Sequence, residues 1–153
     1  MSGIAEKVLI DTNVVLDYLL DRQPFVEAAS ELFARIEAEE IVGALAATTV
    51  TTIHYFLRKA VGASMALDYV GALLERFDVA AVDGAVLHKA RSSGFSDYED
   101  AVLHAAALHS ACQAIVTRNG ADFRKAKLPA YAPEEFLAVL QTRRPDTRGT
   151  DTP

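Results

Sequence analysis

Only one cysteine, Cys112, stands in the 153 residues, so no internal disulfide can staple the chain. That usage fits a reducing compartment, and a cytoplasmic protein is expected. Cys112 lies beside Ala111, Ile115 and Val116, surroundings that suit a buried, unreactive thiol better than a nucleophile. Zinc spacing is missing too: His104 and His109 are five apart, a poor interval for one helical face, and each is expected to be packed or at the surface. No apolar run reaches the ~18 residues of a membrane-spanning helix, so no membrane contact is expected. Met1 to Lys7 contains Glu6 and no basic patch ahead of an apolar stretch, which argues against a secretory leader. Positive charge is also scarce, with 15 Lys and Arg against 21 Asp and Glu, a formal net charge of −6. A protein that grips nucleic acid by electrostatics alone is usually basic. A site that clusters carboxylates around cations, however, carries negative charge that the bound metal cancels. The acidity therefore weakens a nucleic-acid reading without removing it.

What is present is a globular composition, 51% hydrophobic and 24% charged, long enough for one domain with a sizeable core. Val8-Leu9-Ile10 is an apolar run ending at Asp11, the pattern of a buried strand. Helical spacing follows from Val14 to Leu20, is broken at Pro24, and resumes from Phe25 to Ala38. Ile41 to Ala47 is a second strand, and a helix from Thr48 or Thr49 stops before Gly62. Ser64 opens another helix, with Leu67, Val70, Leu73 and Leu74 expected inward. Phe77 to Val82 is a third strand, and Asp83 caps a short helix to Arg91. Ser96-Asp97-Tyr98-Glu99 has the form of a capping box, with Ser96 as the cap of an alanine-rich helix reaching His109. Ala114 to Thr117 is a fourth strand, Arg118-Asn119-Gly120 a turn, and Pro133 and Glu134 open a last helix to about Gln141. Thr142 to Pro153 is poor in apolar residues and is expected to be a disordered tail behind a domain of residues 1–141. No repeat or second domain is visible. Strands alternating with helices predict an α/β fold with a mostly parallel sheet, whose ligands bind at the carboxyl ends of the strands.

Three acidic segments fall at such ends or at helix starts. Asp11 closes the first strand and is followed by Thr12 and Asn13. Asp97 and Asp100 are three apart and share a helix face, with Glu99 turned aside. Asn119 and Asp122 follow the fourth strand. Carboxylates brought together repel one another unless a cation sits between them. Their hard oxygens select Mg²⁺ or Mn²⁺ over zinc. Each segment also has a plainer reading: Asp11 as a helix cap, Asp97 as a favourable charge at a helix start, Asn119-Gly120 as a simple turn. Asp100 is harder to explain so, because Ala101, Val102, Leu103 and Ala105 mark a largely buried helix.

Ile10-Asp11-Thr12-Asn13-Val14, Glu99-Asp100-Ala101-Val102, and Val116-Thr117-Arg118-Asn119 with Asp122-Phe123 resemble, in that order, the PIN-domain ribonucleases. That family includes toxins of bacterial toxin–antitoxin pairs, and the resemblance runs from about Lys7 to Leu140. It implies a three-layer α/β/α sandwich and an endoribonuclease dependent on Mg²⁺ or Mn²⁺. It also implies a homodimer and a neutralising antitoxin. By position, Asp11, Asp100 and Asp122 become the metal ligands, and Asp97 an accessory acid one turn earlier. Thr12, Asn13 and Asn119 would order the water and substrate, while the planar fork of Arg118 would hold a phosphate, or else form a surface salt bridge. The implied chemistry is in-line attack of an activated water on a phosphodiester. One departure stands out. Family members usually carry a glutamate in the helix after the second strand, and here Thr52 holds that place, with His54 on another side of the helix. The alternative is therefore a catalytically weakened or inactive scaffold acting as a binding module. A haloacid-dehalogenase-type phosphatase is set aside, because Asn13 stands where its second aspartate belongs and no lysine motif follows.

Overall fold

The computed structural model describes residues 5–143. Lys7–Ile10 forms β1, the middle strand of the sheet, and Asp11 turns the chain into α1 (Thr12–Leu19). After α2 (Val26–Glu37) come β2 (Val42–Ala46), α3 (Ala47–Val61), α4 (Ala63–Arg76) and β3 (Asp78–Ala80). The chain continues through α5 (Gly84–Arg91), α6 (Tyr98–His109) and β4 (Ala114–Val116). A 3-10 turn (Gly120–Phe123) leads to β5 (Ala130–Tyr131) and α7 (Pro133–Arg143). All strand pairs are parallel and the order is β3-β2-β1-β4-β5. Neighbouring connections thus run to opposite sides of β1. The carboxyl ends of β1 and β4 flank the crevice that this reversal opens, the place where such sheets bind ligands.

Strand periodicity divides the core in two. Val8 and Ile10 of β1, Leu45 of β2 and Val116 of β4 point to one side and pack with α1, α2, α3 and α7. Leu9, Ala44, Ala46 and Ile115 point to the other, against α5 and α6. The result is a three-layer α/β/α sandwich. Helix α6 is buried nearly all round, with Ala101, Ala105, Ala106 and Ala107 at most 4% exposed. Small side chains let its backbone lie close over the alanine face of β2. That placement fixes Asp100, at its first turn, over the sheet edge.

Four details differ from the sequence expectations. The cap of α6 is Asp97, whose carboxylate accepts from the Asp100 N–H at 3.0 Å, rather than Ser96. In α4, Leu67 and Leu74 are 62% and 49% exposed, because the inward stripe runs through Ala66 and Leu73 against α3. Strand β5 has two residues, too short to carry an alternating pattern, and its ladder includes Pro129 O accepting from Ile115 N–H. Helix α7 extends to Arg143, two residues into the stretch expected to be a tail; Arg144 to Pro153 lie outside the described residues.

Candidate active site at the carboxyl edge of the sheet

Asp11 is held by both neighbours at the crevice. Its own N–H donates to Val116 O at 2.9 Å, so the β1–β4 ladder runs right up to it. Oδ1 accepts from Thr12 N–H at 2.7 Å, which makes Asp11 the cap of α1 as well as a site residue. Oδ2 accepts from the Thr117 hydroxyl at 2.7 Å. The fully buried Thr117 hydroxyl in turn accepts from Asn119 N–H at 3.0 Å. With its oxygen accepting from Asn119 N–H, the hydroxyl donates its own hydrogen to Asp11, so the direction of the chain is set. Burial raises the pKa of Asp11 against these two hydrogen bonds and the Arg118 charge, and Asp122 raises it further.

Asp100 is brought to the same edge from the other layer. Its pKa is pushed up to about 7, first by burial and then by the charges of Asp97, Asp11, Asp122 and Glu99, in that order. Asp100 is therefore near enough to feel four other carboxylates, from the end of β1, the start of α6 and the 3-10 turn, with Glu99 contributing least. Asp122 is exposed on the 3-10 turn, and its N–H donates to Asn119 O at 2.9 Å. The Thr12 hydroxyl donates to that of Thr49 in α3 at 3.4 Å, closing the floor between α1 and α3. Asn13 is half-buried on the first turn of α1.

Of the two roles the sequence leaves open for Arg118, a phosphate contact or a salt bridge, the structure shows the second, with a buried partner. Its Nε lies 2.8 Å from Asp17 Oδ2, Nη2 donates to Oδ1 at 3.3 Å, and the guanidinium sits 3.9 Å over the Phe25 ring. Asp17 is 1% exposed, with Arg22 a second cation at 3.9 Å. Asp17 and Thr117 were both missed in the sequence. A lone acid among Val14, Val15, Leu16 and Leu19 was the signal for the first, since a charge on a buried face needs a partner. The signal for Thr117 was its place directly after a buried strand.

Among the described residues, no three His, Cys, Asp or Glu side chains stand ready-made as a metal cage. The donor set nevertheless suits a hard cation. It is all oxygen, its charges repel one another, and Mg²⁺ commonly uses only one or two carboxylates and keeps several waters. The His104 imidazole is engaged elsewhere, its Nε2 accepting from Lys127 N–H at 3.0 Å. Cys112 is buried and its thiol is pushed up to about 11, far from a thiolate ligand.

Residues 7–121 match the PIN-domain family. The chain belongs to that family. No curated protein matches it in sequence. The PIN domain is similar in fold to a toxin–antitoxin complex from Klebsiella pneumoniae, with a TM-score of 0.63 and 20% identity, covering 82% of this chain and 97% of that one. VapBC-1 from nontypeable Haemophilus influenzae gives 0.65 at 14% identity, over 84% and 98% of the two chains. VapC20 of Mycobacterium tuberculosis, a sarcin-ricin loop cleaving toxin, gives 0.61 at 14% identity over 75% and 92%. In this PIN domain α3 has no Asp or Glu at all. Thr52 lies one turn beyond Thr49, and its hydroxyl turns back to Thr48 O at 3.0 Å.

Proposed function

We propose that this PIN domain is a divalent-metal-dependent endoribonuclease, and the toxin of a pair neutralised by a cognate antitoxin protein. The reading is supported by the electrostatic influence of Asp122 on Asp11, and of both on Asp100, carboxylates from three separate elements around the β1–β4 crevice. Asp11 and Asp100 would hold Mg²⁺ or Mn²⁺, with Asp122 acting through water because it is exposed. Bound there, the cation supplies a water of lowered pKa and neutralises charge building on phosphorus. Thr117 fixes the rotamer of Asp11, so one lone pair on each of its oxygens remains free for a ligand. Asp97 tethers the first turn of α6 and adds negative charge beside Asp100. Asn13 and Asn119 offer amide groups at the rim for the substrate.

The partner reading is supported by the fold neighbours that are toxin–antitoxin complexes. Exposed Tyr55, Phe56, Met65, Leu67 and Leu74 on α3 and α4 also leave apolar area of the kind a partner covers. One observation favours a second reading, a scaffold of reduced activity. The absence of any carboxylate on α3 leaves the site one acid short of the usual set, and the Thr52 hydroxyl faces its own helix.

A cleavage assay on mixed RNA separates the two. The enzyme reading expects cuts with Mg²⁺ or Mn²⁺, none with EDTA, and a loss of about 100-fold or more in Asp11→Asn, the scale of removing one preorganised charge-stabilising group. Wild-type protein that leaves RNA intact with either metal, or cuts equally well as Asp11→Asn, contradicts it.

A further inference from the structure

Beside the carboxylates, one hollow reverses the sign of the molecule. Although the chain carries a net charge of −6, a cavity of about 280 Å³ is lined by Lys89, Lys125 and Lys127 and by no Asp or Glu. Its neutral wall is the stacked pair Phe95 and His104, with ring centroids 5.1 Å apart. His104 stays an acceptor for the Lys127 backbone N–H, and burial together with Lys127 and Lys89 lowers its pKa. Both ammonium groups are therefore close enough to be felt inside the hollow. Among the described residues neither has an ion-pair partner. Lys125 uses one N–H on Gly94 O at 2.9 Å and keeps two.

The hollow is joined to the acidic edge on two sides. Phe95 lies two residues before Asp97, and its ring packs T-shaped with that of Phe123, the neighbour of Asp122, with centroids 5.9 Å apart. A strand laid over the carboxylates therefore has this basic depression next to it. Three lysines with no counter-ion among the described residues, close to a site of opposite sign, match a polyanion that must thread past both.

We propose that this hollow is a phosphate subsite that holds a backbone phosphodiester of single-stranded RNA next to the bond to be cut, with Lys89 and Lys127 providing the charge. The inference rests on the ribonuclease reading for its substrate, but its test reads binding. Anisotropy of a short labelled RNA is measured in the Asp11→Asn protein with and without Lys89→Ala/Lys127→Ala. The double substitution is expected to weaken binding about tenfold and to reduce the slope of log K against log salt by about one. Lys89→Arg/Lys127→Arg, which keeps the charge, is expected to restore both, excluding a folding defect. Unchanged affinity and slope in the alanine variant overturns the subsite. So does inorganic phosphate binding as tightly as RNA, since the site would then be one for free anions. If wild-type protein cuts no RNA yet these lysines still govern RNA binding, the subsite stands and the nuclease reading falls.

Discussion

The Arg118–Asp17 pair shows how a charge near a catalytic edge can serve the fold. Asp17 is 1% exposed, and without Arg118 it would keep only Arg22 at 3.9 Å. Removing one partner of a buried pair leaves the other charge desolvated and unmatched, which is costlier than never having built the pair. Arg118→Ala is therefore expected to destabilise the protein by about 2–3 kcal/mol in urea unfolding. Arg118→Lys recovers only part of this, because an ammonium cannot make the two-pronged contact with Asp17 and stacks less well on Phe25. An arginine held in reserve for RNA alone would show no loss of stability in either variant. The sequence left both roles open, since a basic residue after a strand has the same letters whichever way its side chain turns.

At the scale of elements, the strands and long helices were legible because burial on both faces writes apolar runs and 3.6-residue stripes directly into the chain. What was not legible follows from the same physics. Alanine satisfies an inward position as well as leucine, so Ala66 took the place expected of Leu67 on α4. Two neighbouring residues, Ser96 and Asp97, are equally good caps, and only the geometry decides between them. The acids at the carboxyl ends of β1 and β4 were visible as types and order, but the hydroxyl chain through Thr117 needed the β1–β4 pairing to be known. Gly43 on β2 is a further case. A Cβ there would lie 2.6 Å from Phe77 Cε1 and 2.9 Å from Ile36 Cδ1, so the bare backbone is what lets both side chains reach the sheet. Gly43→Ala is expected to cost about 1–3 kcal/mol from overpacking. Gly71→Ala on α4, where nothing lies within 4 Å of the new atom, should instead be neutral or stabilise by up to ~1 kcal/mol. Equal effects of the two substitutions would show that contact at Gly43 is not what matters.

Over the whole molecule, the strand order β3-β2-β1-β4-β5 has one functional consequence: it places the reversal of the sheet between β1 and β4, under α6. Asp11, Asp100 and Asp122 are 89 and 22 residues apart along the chain, as their numbers give, and only this topology makes them neighbours. Their negative charge, opposed locally by the lysine-lined hollow, leaves a gap that a divalent cation would fill. Calorimetric titration of Mn²⁺ into wild-type protein and into Asp11→Asn, Asp100→Asn and Asp122→Asn tests that claim directly. The account predicts one site, weakened at least about tenfold (~1.4 kcal/mol) by each of the first two substitutions and less by the exposed third. No binding by the wild-type protein, or equal affinity in Asp11→Asn and Asp100→Asn, would contradict it.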